Sequence, residues 1–434
     1  MAKASIDKTK KSTAQVSESP TFLDLFAGAG GLSIGLELAG FNLKYANEIS
    51  PAFSETLRAN HPNAVISVED IRSISPAKIM KQIGFSRGQL DLVAGGPPCQ
   101  GFSINAPVRS TDDHRNHLFW NFLGFVECFD PRFVLIENVP GMLSFNNGET
   151  VRAILKSLEK LGYRAEVRIL AAPHYGIPQM RWRTVFLATR LDIDPQAMYP
   201  PPTYSSSVRA NFKNTLDGQS LIFDINQSDI KNKHDVTVWD AISDLPPIMN
   251  GGGDIESSYQ SDPQSDLQKI LRKDSFQLLN HQVAGLGPTN LVRLPHIPPG
   301  GSWRDIPHEL LPAGMKKARR SDHTKRYGRL HPDGIASTIL TKCDPHWGSY
   351  IHPTQDRIIS VREAARLQSF PDKVKFYGNL VEQYKQVGNA VPPLLGKALG
   401  DRIQWCLSHL NSGNKPVADV AVTGNQLKLK ISQR

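Results

Sequence analysis

The sequence predicts an α/β fold with a mostly parallel sheet and a smaller, irregular second domain. Short apolar segments alternate with helical segments at βα spacing over residues 21–190. From residue 191 to about residue 330 this alternation stops, and Pro, Ser, Asn, Asp and Gly dominate. A chain of 434 residues is long enough for both domains.

The predicted strands are TFLDLFAG, FNLKYANEI, VISVEDI, QLDLVAGGPP, RFVLIENV, RAEVRIL and RTVFLATR. The predicted helices of the same domain are GAGGLSIGLELAG, PAFSETLRANHP, NHLFWNFLGFVECF and GETVRAILKSLEKLGY. Near the C-terminus we expect a helix within PTQDRIISVREAARLQSFPD, then a turn at QVGNAVPP and a terminal helix. The domain boundaries that we predict are a disordered tail (1–20), a catalytic and cofactor-binding domain (21–190), a target-recognition domain (191–360), a hinge (361–388), a C-terminal helix that completes the first domain (389–410) and a loose tail (411–434).

The bulk composition favours a cytoplasmic protein with a polyanionic partner. The net charge is +9, and the N-terminus lacks the apolar segment of a signal peptide. We expect no membrane association. The four cysteines (Cys99, Cys128, Cys343 and Cys406) lie far apart, without the spacing of a zinc site or a disulfide framework, so we also expect no metal.

A glycine-rich turn after the first strand predicts a nucleotide-like ligand at that end of the sheet. Gly28, Gly30 and Gly31 would allow close approach of the backbone, but Ser33 occupies the last position of the GxGxxG pattern. A dinucleotide-dependent oxidoreductase is therefore disfavoured. Glu48 and Asp70, at the ends of the next two strands, suit the ribose hydroxyls and adenine amino group of an adenosine without phosphates.

The segment GGPPCQGFS, residues 95–103, holds one thiol in a constrained turn. Such a support suggests that Cys99 is an aimed nucleophile, since a thiolate must be oriented to attack. Glu137 and Asn138 end a later apolar strand, where a buried carboxylate needs a partner. In QMRWR, alternate residues of a strand share one face; these are Gln179, Arg181 and Arg183.

The motifs resemble those of the DNA (cytosine-5) methyltransferases, and the bacterial enzymes look most similar. FAGAGG, NE (47–48), DI (70–71), GGPPCQGFS, ENV, QMRWR, REAARLQSFPD and QVGNAVPP occur in that family's order, over roughly residues 21–190 and 329–410. The resemblance implies a Rossmann-like S-adenosylmethionine-dependent methyltransferase domain and a cytosine flipped out of duplex DNA. It also implies that Cys99 adds to C6 of the base and Glu137 contacts N3. Arg183 would lie by the cytosine O2, and Arg181 would support Glu137.

The resemblance also assigns ligand-contacting residues. The implied cofactor site is lined by Phe26, Gly28, Gly30, Leu32, Glu48, Ile49, Asp70, Ile71, Pro98, Leu118 and Asn389. A mobile loop following Cys99 would close over the DNA, with Ser103 and Arg115 near phosphates.

The second domain would read the DNA sequence. Its segment 315–329 contains a basic cluster that suits phosphates, and the candidate contacts are Lys316, Lys317, Arg319, Arg320, Lys325 and Arg326. A solvated basic face is the competing explanation for any one of them. The recognised sequence cannot be deduced from the chain.

The resulting hypothesis is a sequence-specific DNA methyltransferase acting as a monomer near the nucleoid, in a restriction-modification system whose separate endonuclease is a candidate partner. Two other functions are compatible with some or all of the same catalytic residues. An RNA cytosine-5 methyltransferase is disfavoured by the long middle domain, and a catalytically inactive DNA-binding paralogue by the presence of Cys99, Glu137 and Arg183.

Overall fold

The computed structural model describes residues 19–98, 118–206, 208–223, 230, 234–413 and 416. Nearly all of the predicted N-terminal tail and of the predicted C-terminal tail lies outside these residues. A seven-stranded sheet has the order β3-β2-β1-β4-β5-β7-β6. Its strands are β1 (Thr21–Leu25), β2 (Asn42–Asn47), β3 (Val65–Ser67), β4 (Leu92–Gly95), β5 (Phe133–Asn138), β6 (Arg164–Ala171) and β7 (Trp182–Thr189).

The strands β1 to β5 pair in parallel, and β7 runs antiparallel to both β5 and β6. The predicted α/β class with a mostly parallel sheet is confirmed. The chain leaves β1 toward β2 and β3 on one side and returns to β4 and β5 on the other. The carboxyl ends of β1 and β4 therefore lie at a topological switch point, where α/β sheets bind ligands.

Helices cover both faces of this sheet. In chain order they are α1 (Gly31–Leu38), α2 (Pro51–Asn60), α3 (Pro76–Gln82), α4 (Leu118–Phe129) and α5 (Glu149–Lys160). α3 is not among the predicted helices. Alternate residues of β1 divide between the two faces: Leu23 packs in the cluster that contains α4 and α5, whereas Phe22 packs in the cluster that contains α1.

The remaining regular elements are short except for those near the C-terminus. The small strands are β8 (Thr215–Leu216), β9 (Gln219–Ser220), β10 (Gly253–Ser257), β11 (Leu278–Gln282), β12 (Gly328–Arg329) and β13 (Ser349–Ile351). The further helices are α6 (Val238–Ile242), α7 (Asp266–Arg272), α8 (Pro288–Leu291), α9 (Ala313–Lys316), α10 (Val361–Leu367), α11 (Leu380–Asn389) and α12 (Pro393–Asn411).

The last helix, α12, packs on α1 beside the main sheet, where Leu395, Leu399 and Ile403 join the same buried cluster as Leu32 and Leu36. The two helices approach closely through glycines. A Cβ placed on Gly35 would lie 2.4 Å from the Pro393 carbonyl oxygen and 2.7 Å from the Gly396 Cα.

The predicted turn at QVGNAVPP is shorter in the structure, because α11 continues to Asn389 and leaves only residues 390–392 between the helices. The side chain of Asn379 accepts from the Glu382 N–H, and Glu382 accepts in return from the Asn379 N–H. This reciprocal cap fixes the start of α11. α10 and α11 share a buried cluster with α6 and β11, so the segment predicted as a hinge is packed into a core.

The longest helix that the structure describes does not combine the length and apolar character needed to cross a membrane, and neither does any other helix in the described ranges.

Candidate active site at the carboxyl ends of the sheet

Two turns meet at the switch point of the sheet. The first follows β1 and contains the glycines, and the second follows β4 and leads toward Cys99. Phe26 adopts a left-handed conformation, with φ of 62°, directly after β1. The Gly96 N–H donates to the Leu25 carbonyl oxygen at 3.3 Å, which joins the two turns.

The three glycines of the first turn are needed for different reasons. A Cβ on Gly30 would lie 2.8 Å from the His61 ring, and a Cβ on Gly31 would lie 2.3 Å from the Val391 carbonyl oxygen. At Gly28, which has a φ of +60°, a Cβ would meet no atom within 4 Å. The expectation that all three glycines admit a ligand therefore holds only for Gly28 as far as space is concerned; the other two admit neighbouring parts of the protein.

Glu48 follows β2 and faces the glycine turn. Its carboxylate accepts from the Gly28 N–H at 3.0 Å and from the Ser50 N–H at 2.9 Å. Burial raises the pKa of Glu48, while these two backbone donors oppose that rise. Four acceptor positions on a carboxylate leave room for further donors, such as ribose hydroxyls.

Asp70 differs from its predicted place, because β3 ends at Ser67 and Asp70 lies three residues further on. Its side chain accepts from the Arg72 N–H and caps a short 3₁₀ helix, which ends the strand early. The Arg72 guanidinium also pairs with this carboxylate, and the hydrogen bonds to Arg72 lower the pKa of Asp70.

The other predicted cofactor residues divide into buried and open positions. Ile71 is buried in the core beneath the turn, and Leu32 is buried between α1 and α12. Ile49, directly after Glu48, is 64% exposed. Those that are exposed or partly exposed are Phe26, Gly28, Pro98, Leu118 and Asn389.

Glu137 and Asn138, at the end of β5, hold the turn that carries the nucleophile candidate. The Asn138 side-chain amide donates to the Pro97 carbonyl oxygen at 2.9 Å. A Cβ on Gly96 would lie 3.1 Å from the Glu137 Oε2 atom, so only a small residue fits between this carboxylate and the turn. The Glu137 carboxylate thus lies against the segment that leads into Cys99.

Arg183 is the direct partner of Glu137, through an ion pair between Nε and Oε1. Antiparallel pairing places Thr184 opposite Asn138, which brings the preceding arginine to the Glu137 side chain. Burial lowers the pKa of Arg183, and the Glu137 charge opposes that shift. The residue in direct contact with Glu137 is Arg183, and the supporting role of Arg181 stays a prediction.

Arg181 instead joins three parts of the chain. Its guanidinium donates to the carbonyl oxygens of Ile339 at 3.1 Å, Gly388 at 2.8 Å and Ala390 at 2.9 Å. Gln179 contacts one of the same segments and also α10, since it accepts from the Ile339 N–H at 2.9 Å and donates to the Leu367 carbonyl oxygen at 3.1 Å. The prediction that Gln179, Arg181 and Arg183 share one strand face is wrong, because β7 begins at Trp182 and the first two residues precede it. Gln179 and Arg181 are buried against the second domain, α10 and α11, whereas Arg183 faces Glu137.

The basic cluster lies mostly on the surface, as a phosphate-binding segment requires. Arg326 is partly buried and the rest are exposed, namely Lys316, Lys317, Arg319, Arg320 and Lys325. Arg329, counted in the same basic segment, is buried and donates to the carbonyl oxygens of Ile297 at 2.6 Å and Leu294 at 2.8 Å. It is a structural residue of the second domain.

Three predicted site residues lie outside the described residues: Cys99, Ser103 and Arg115. Among the cysteines that the structure describes, Cys128 and Cys343 have a pKa raised by burial, which disfavours the thiolate. No group of three His, Cys, Asp or Glu side chains with metal-binding geometry occurs in the described ranges.

Two residues near the site were not singled out by sequence reasoning. Asp24 in β1 is 1% exposed and accepts from the Ser33 hydroxyl at 2.5 Å. Thr338 donates its hydroxyl to the Met180 carbonyl oxygen at 2.5 Å. Asp24 could have been found as a charged residue inside an apolar strand, whereas the contact of Thr338 depends on tertiary structure.

Comparison with known proteins identifies the family of the chain. The family model of the C-5 cytosine-specific DNA methylases matches residues 20–405. The type II methyltransferase M.AgeI of Thalassovita gelatinovora is 36% identical over 89% of this chain and 99% of its own length. DNA (cytosine-5)-methyltransferase 1 of Mus musculus is 30% identical over 89% of this chain, which corresponds to 28% of the mouse protein.

Solved structures show the same fold. A prophage-encoded protein of E. coli, described as a DNA modification methyltransferase, superposes with a TM-score of 0.66 at 24% identity over 90% of this chain and 100% of that chain. Spodoptera frugiperda DNMT2 gives a TM-score of 0.53 at 14% identity over 89% of this chain and 100% of its own. The chain therefore belongs to the C-5 cytosine-specific DNA methylase family and is an enzyme of that class.

Proposed function

We propose that the chain transfers a methyl group from S-adenosylmethionine to C5 of a cytosine flipped out of duplex DNA, through a covalent bond between Cys99 and C6. The observation that carries this proposal is the Glu137–Arg183 pair, which lies against the turn that leads into Cys99. A carboxyl group held by a guanidinium beside an aimed thiol suits activation of a ring that must accept and then release a nucleophile.

The residues at the end of β1 and β2 fit an adenosine-type cofactor. Open space faces Gly28, the Glu48 carboxylate borders that space, and Ile49 exposes an apolar surface beside it. When bound there, S-adenosylmethionine supplies the methyl group that C5 receives. Glu48 would hold the ribose hydroxyls, Phe26 and Ile49 would pack on the adenine, and Asp70 would accept from its amino group.

Each catalytic residue has a separate role in the reaction at the base. Addition of the Cys99 thiolate to C6 moves the electrons of the C5–C6 double bond toward C5 and N3. Glu137 would contact N3 and stabilise the charge that develops there. Arg183 holds the Glu137 side chain and would contact the cytosine O2. After C5 has been methylated, loss of the C5 proton re-forms the double bond and releases the Cys99 sulfur.

Asn138 and Gln179 position other parts of the protein and do not contact the base themselves. Asn138 fixes the turn before Cys99 through the Pro97 carbonyl oxygen, and Gln179 with Arg181 fixes the second domain relative to β7. An aimed thiol matters because ideal orientation contributes up to ~7–11 kcal/mol to catalysis.

The biological role that we propose is protection of host DNA in a restriction-modification system. The similarity to a bacterial type II methyltransferase over 99% of its length supports this role. The enzyme would act as a monomer, since one active site and one reading domain suffice for an asymmetric flipped base.

The proposal is tested by incubating the enzyme with tritiated S-adenosylmethionine and unmethylated genomic DNA, followed by bisulfite sequencing. We expect label at C5 of cytosine in one short sequence. C99A should abolish it, and E137Q should reduce the rate by about 10²- to 10⁴-fold. C128A is the matched control, because this cysteine lies in α4 and should leave activity intact.

Label on transfer RNA but not on duplex DNA would replace the proposal with an RNA methyltransferase. DNA binding without label would identify an inactive DNA-binding paralogue.

A further inference from the structure

We propose that residues 340–349 form a DNA-reading loop in which Trp347 contacts a base pair beside the target cytosine and so sets the sequence preference. This inference rests on the proposed function, because it names the residue through which the same site recognises its substrate. The argument depends on how the loop is anchored, on what it exposes and on the charge beside it.

The stem of the reading loop is bonded to the catalytic segment. Thr338, just before the loop, donates to the Met180 carbonyl oxygen, and the Ile339 carbonyl oxygen accepts from Arg181 at 3.1 Å. Tyr350, just after the loop, donates through its hydroxyl to the Thr338 carbonyl oxygen at 3.2 Å and accepts from the Leu340 N–H at 3.3 Å. The loop therefore starts and ends where Gln179 and Arg181 are held.

The other side of the reading loop is bonded to the basic cluster. The Tyr327 N–H donates to the Pro345 carbonyl oxygen at 2.6 Å, and the Ser349 hydroxyl donates to the Lys325 carbonyl oxygen at 3.2 Å. The His346 ring lies 5.0 Å from the ring of Tyr327, whose side chain is fully buried. One loop thus connects the catalytic segment with the residues expected to grip phosphates.

Between these anchored ends of the reading loop, Trp347 is 59% exposed and Leu340 is 38% exposed. A single exposed apolar side chain is common and carries no meaning alone. Here, however, the guanidinium of Arg326 lies 5.7 Å from the centre of the Trp347 ring, so an aromatic face and a cation are presented together. An aromatic plane next to a fixed positive charge matches a base or sugar next to its phosphate.

Charge favours a nucleic acid as the occupant of this surface, and the proposed function makes that nucleic acid duplex DNA. Lys325 and Arg326 border the loop, and Lys316, Lys317, Arg319 and Arg320 continue the positive surface. Asp344 is the acidic residue of the loop, and its carboxylate accepts from the His346 N–H at 2.8 Å, which helps to form the turn before Trp347. An apolar protein partner would not require this row of cations, whereas phosphates would.

The experiment compares wild type, W347A, W347F and R326Q on a library of duplexes with randomised sequence around one cytosine. The control variant is F276A, which removes an aromatic side chain of the same domain that is 95% exposed. Methylation rates for each sequence, DNA affinity as a function of salt, and S-adenosylmethionine binding are measured for every variant.

We expect W347A to lower kcat/KM on the preferred sequence by about 5- to 150-fold and to flatten the preference among sequences, with an unchanged salt slope. W347F should retain most of the preference, because it keeps an aromatic face. R326Q should weaken binding to all sequences alike and reduce the salt slope by about 1. S-adenosylmethionine binding and thermal unfolding should not change in W347A, since its side chain is exposed.

If W347A keeps the sequence preference and rate of F276A while wild type methylates DNA, the inference is overturned and the proposed function stands. If wild type methylates none of the duplexes, the proposed function fails, and the inference fails with it.

Discussion

The carboxyl group of Asp24 lies beneath the glycine turn and is almost wholly buried. Burial raises the pKa of Asp24 from 3.8 to about 7, against the lowering effect of the Ser33 hydrogen bond. Between these two values the folded protein retains a proton that the unfolded chain has released. The free energy of unfolding therefore falls as the pH rises from about 4 to 7, by on the order of 4 kcal/mol from this group.

Replacing Asp24 with Asn removes this dependence, because an amide does not titrate. We expect the difference in unfolding free energy, D24N minus wild type, to increase by on the order of 2–3 kcal/mol between pH 5 and pH 8. Urea unfolding at the two values measures it. The cost of burying the extra amide N–H groups is the same at both pH values, so it cancels in this comparison. The titrations of buried His174 and His352 occur in both proteins, so they cancel as well. An unchanged difference at both pH values would show that Asp24 is already ionised at pH 5 in the folded state.

The contact between α1 and α12 depends on Gly35 and Gly396, which lack a Cβ. In Gly35→Ala the new methyl group would lie 2.4 Å from the Pro393 carbonyl oxygen, so the helices must separate. We expect this substitution to lower the free energy of unfolding by about 1–3 kcal/mol. S-adenosylmethionine binding should weaken as well, since α1 follows directly from the glycine turn.

Gly124→Ala is the matched control, because Gly124 lies inside α4 and a Cβ there would meet no atom within 4 Å. This change should stabilise the protein by up to about 1 kcal/mol through helix propensity. Chemical denaturation of both variants gives the comparison. Equal effects of the two substitutions would contradict the close packing of α1 on α12.

The strands of the main sheet could be predicted because burial on both faces leaves continuous apolar segments, as in β4 and β5. The sequence was less informative where a local hydrogen bond decides the structure. Asp70 caps a 3₁₀ helix just after β3, and Asn379 begins α11, which extends into the segment predicted as a turn. Such caps depend on one side chain, and periodicity does not reveal them.

The candidate site, like the fold, could be predicted only in part from the sequence. The order of Glu137, Asn138 and the QMRWR segment indicates a charged crevice, and from this set the structure brings Glu137 and Arg183 into contact. Which arginine pairs with Glu137 follows from the antiparallel register of β5 and β7, which no local pattern encodes. The contacts of Arg181 with residues 339, 388 and 390 span about half the chain, so only the folded structure reveals them.

At the scale of the whole molecule, Arg181 connects β7, the second domain and the segment before α12. Lys at this position keeps the charge but cannot reach three carbonyl oxygens in a fixed plane. We expect R181K to lower the free energy of unfolding by about 2–4 kcal/mol, because buried carbonyl oxygens lose a charged donor. Urea unfolding measures this effect, with R164K as a control, since Arg164 is half exposed and pairs with Asp192 on the surface. Equal loss in both variants would mean that Arg181 does not join these segments.

The net charge of +9 acts on DNA only where the cations meet phosphates. If Lys316 and Lys317 each contact one phosphate, K316Q/K317Q should reduce the slope of log affinity against log salt by about 1.8, equally for preferred and unrelated sequences. K78Q/K81Q makes the same change in net charge at two exposed lysines on α3. This control should leave the slope as in wild type. Equal slopes in the two variants would show that the molecule attracts DNA by its overall charge, and that the segment 315–329 is a solvated face.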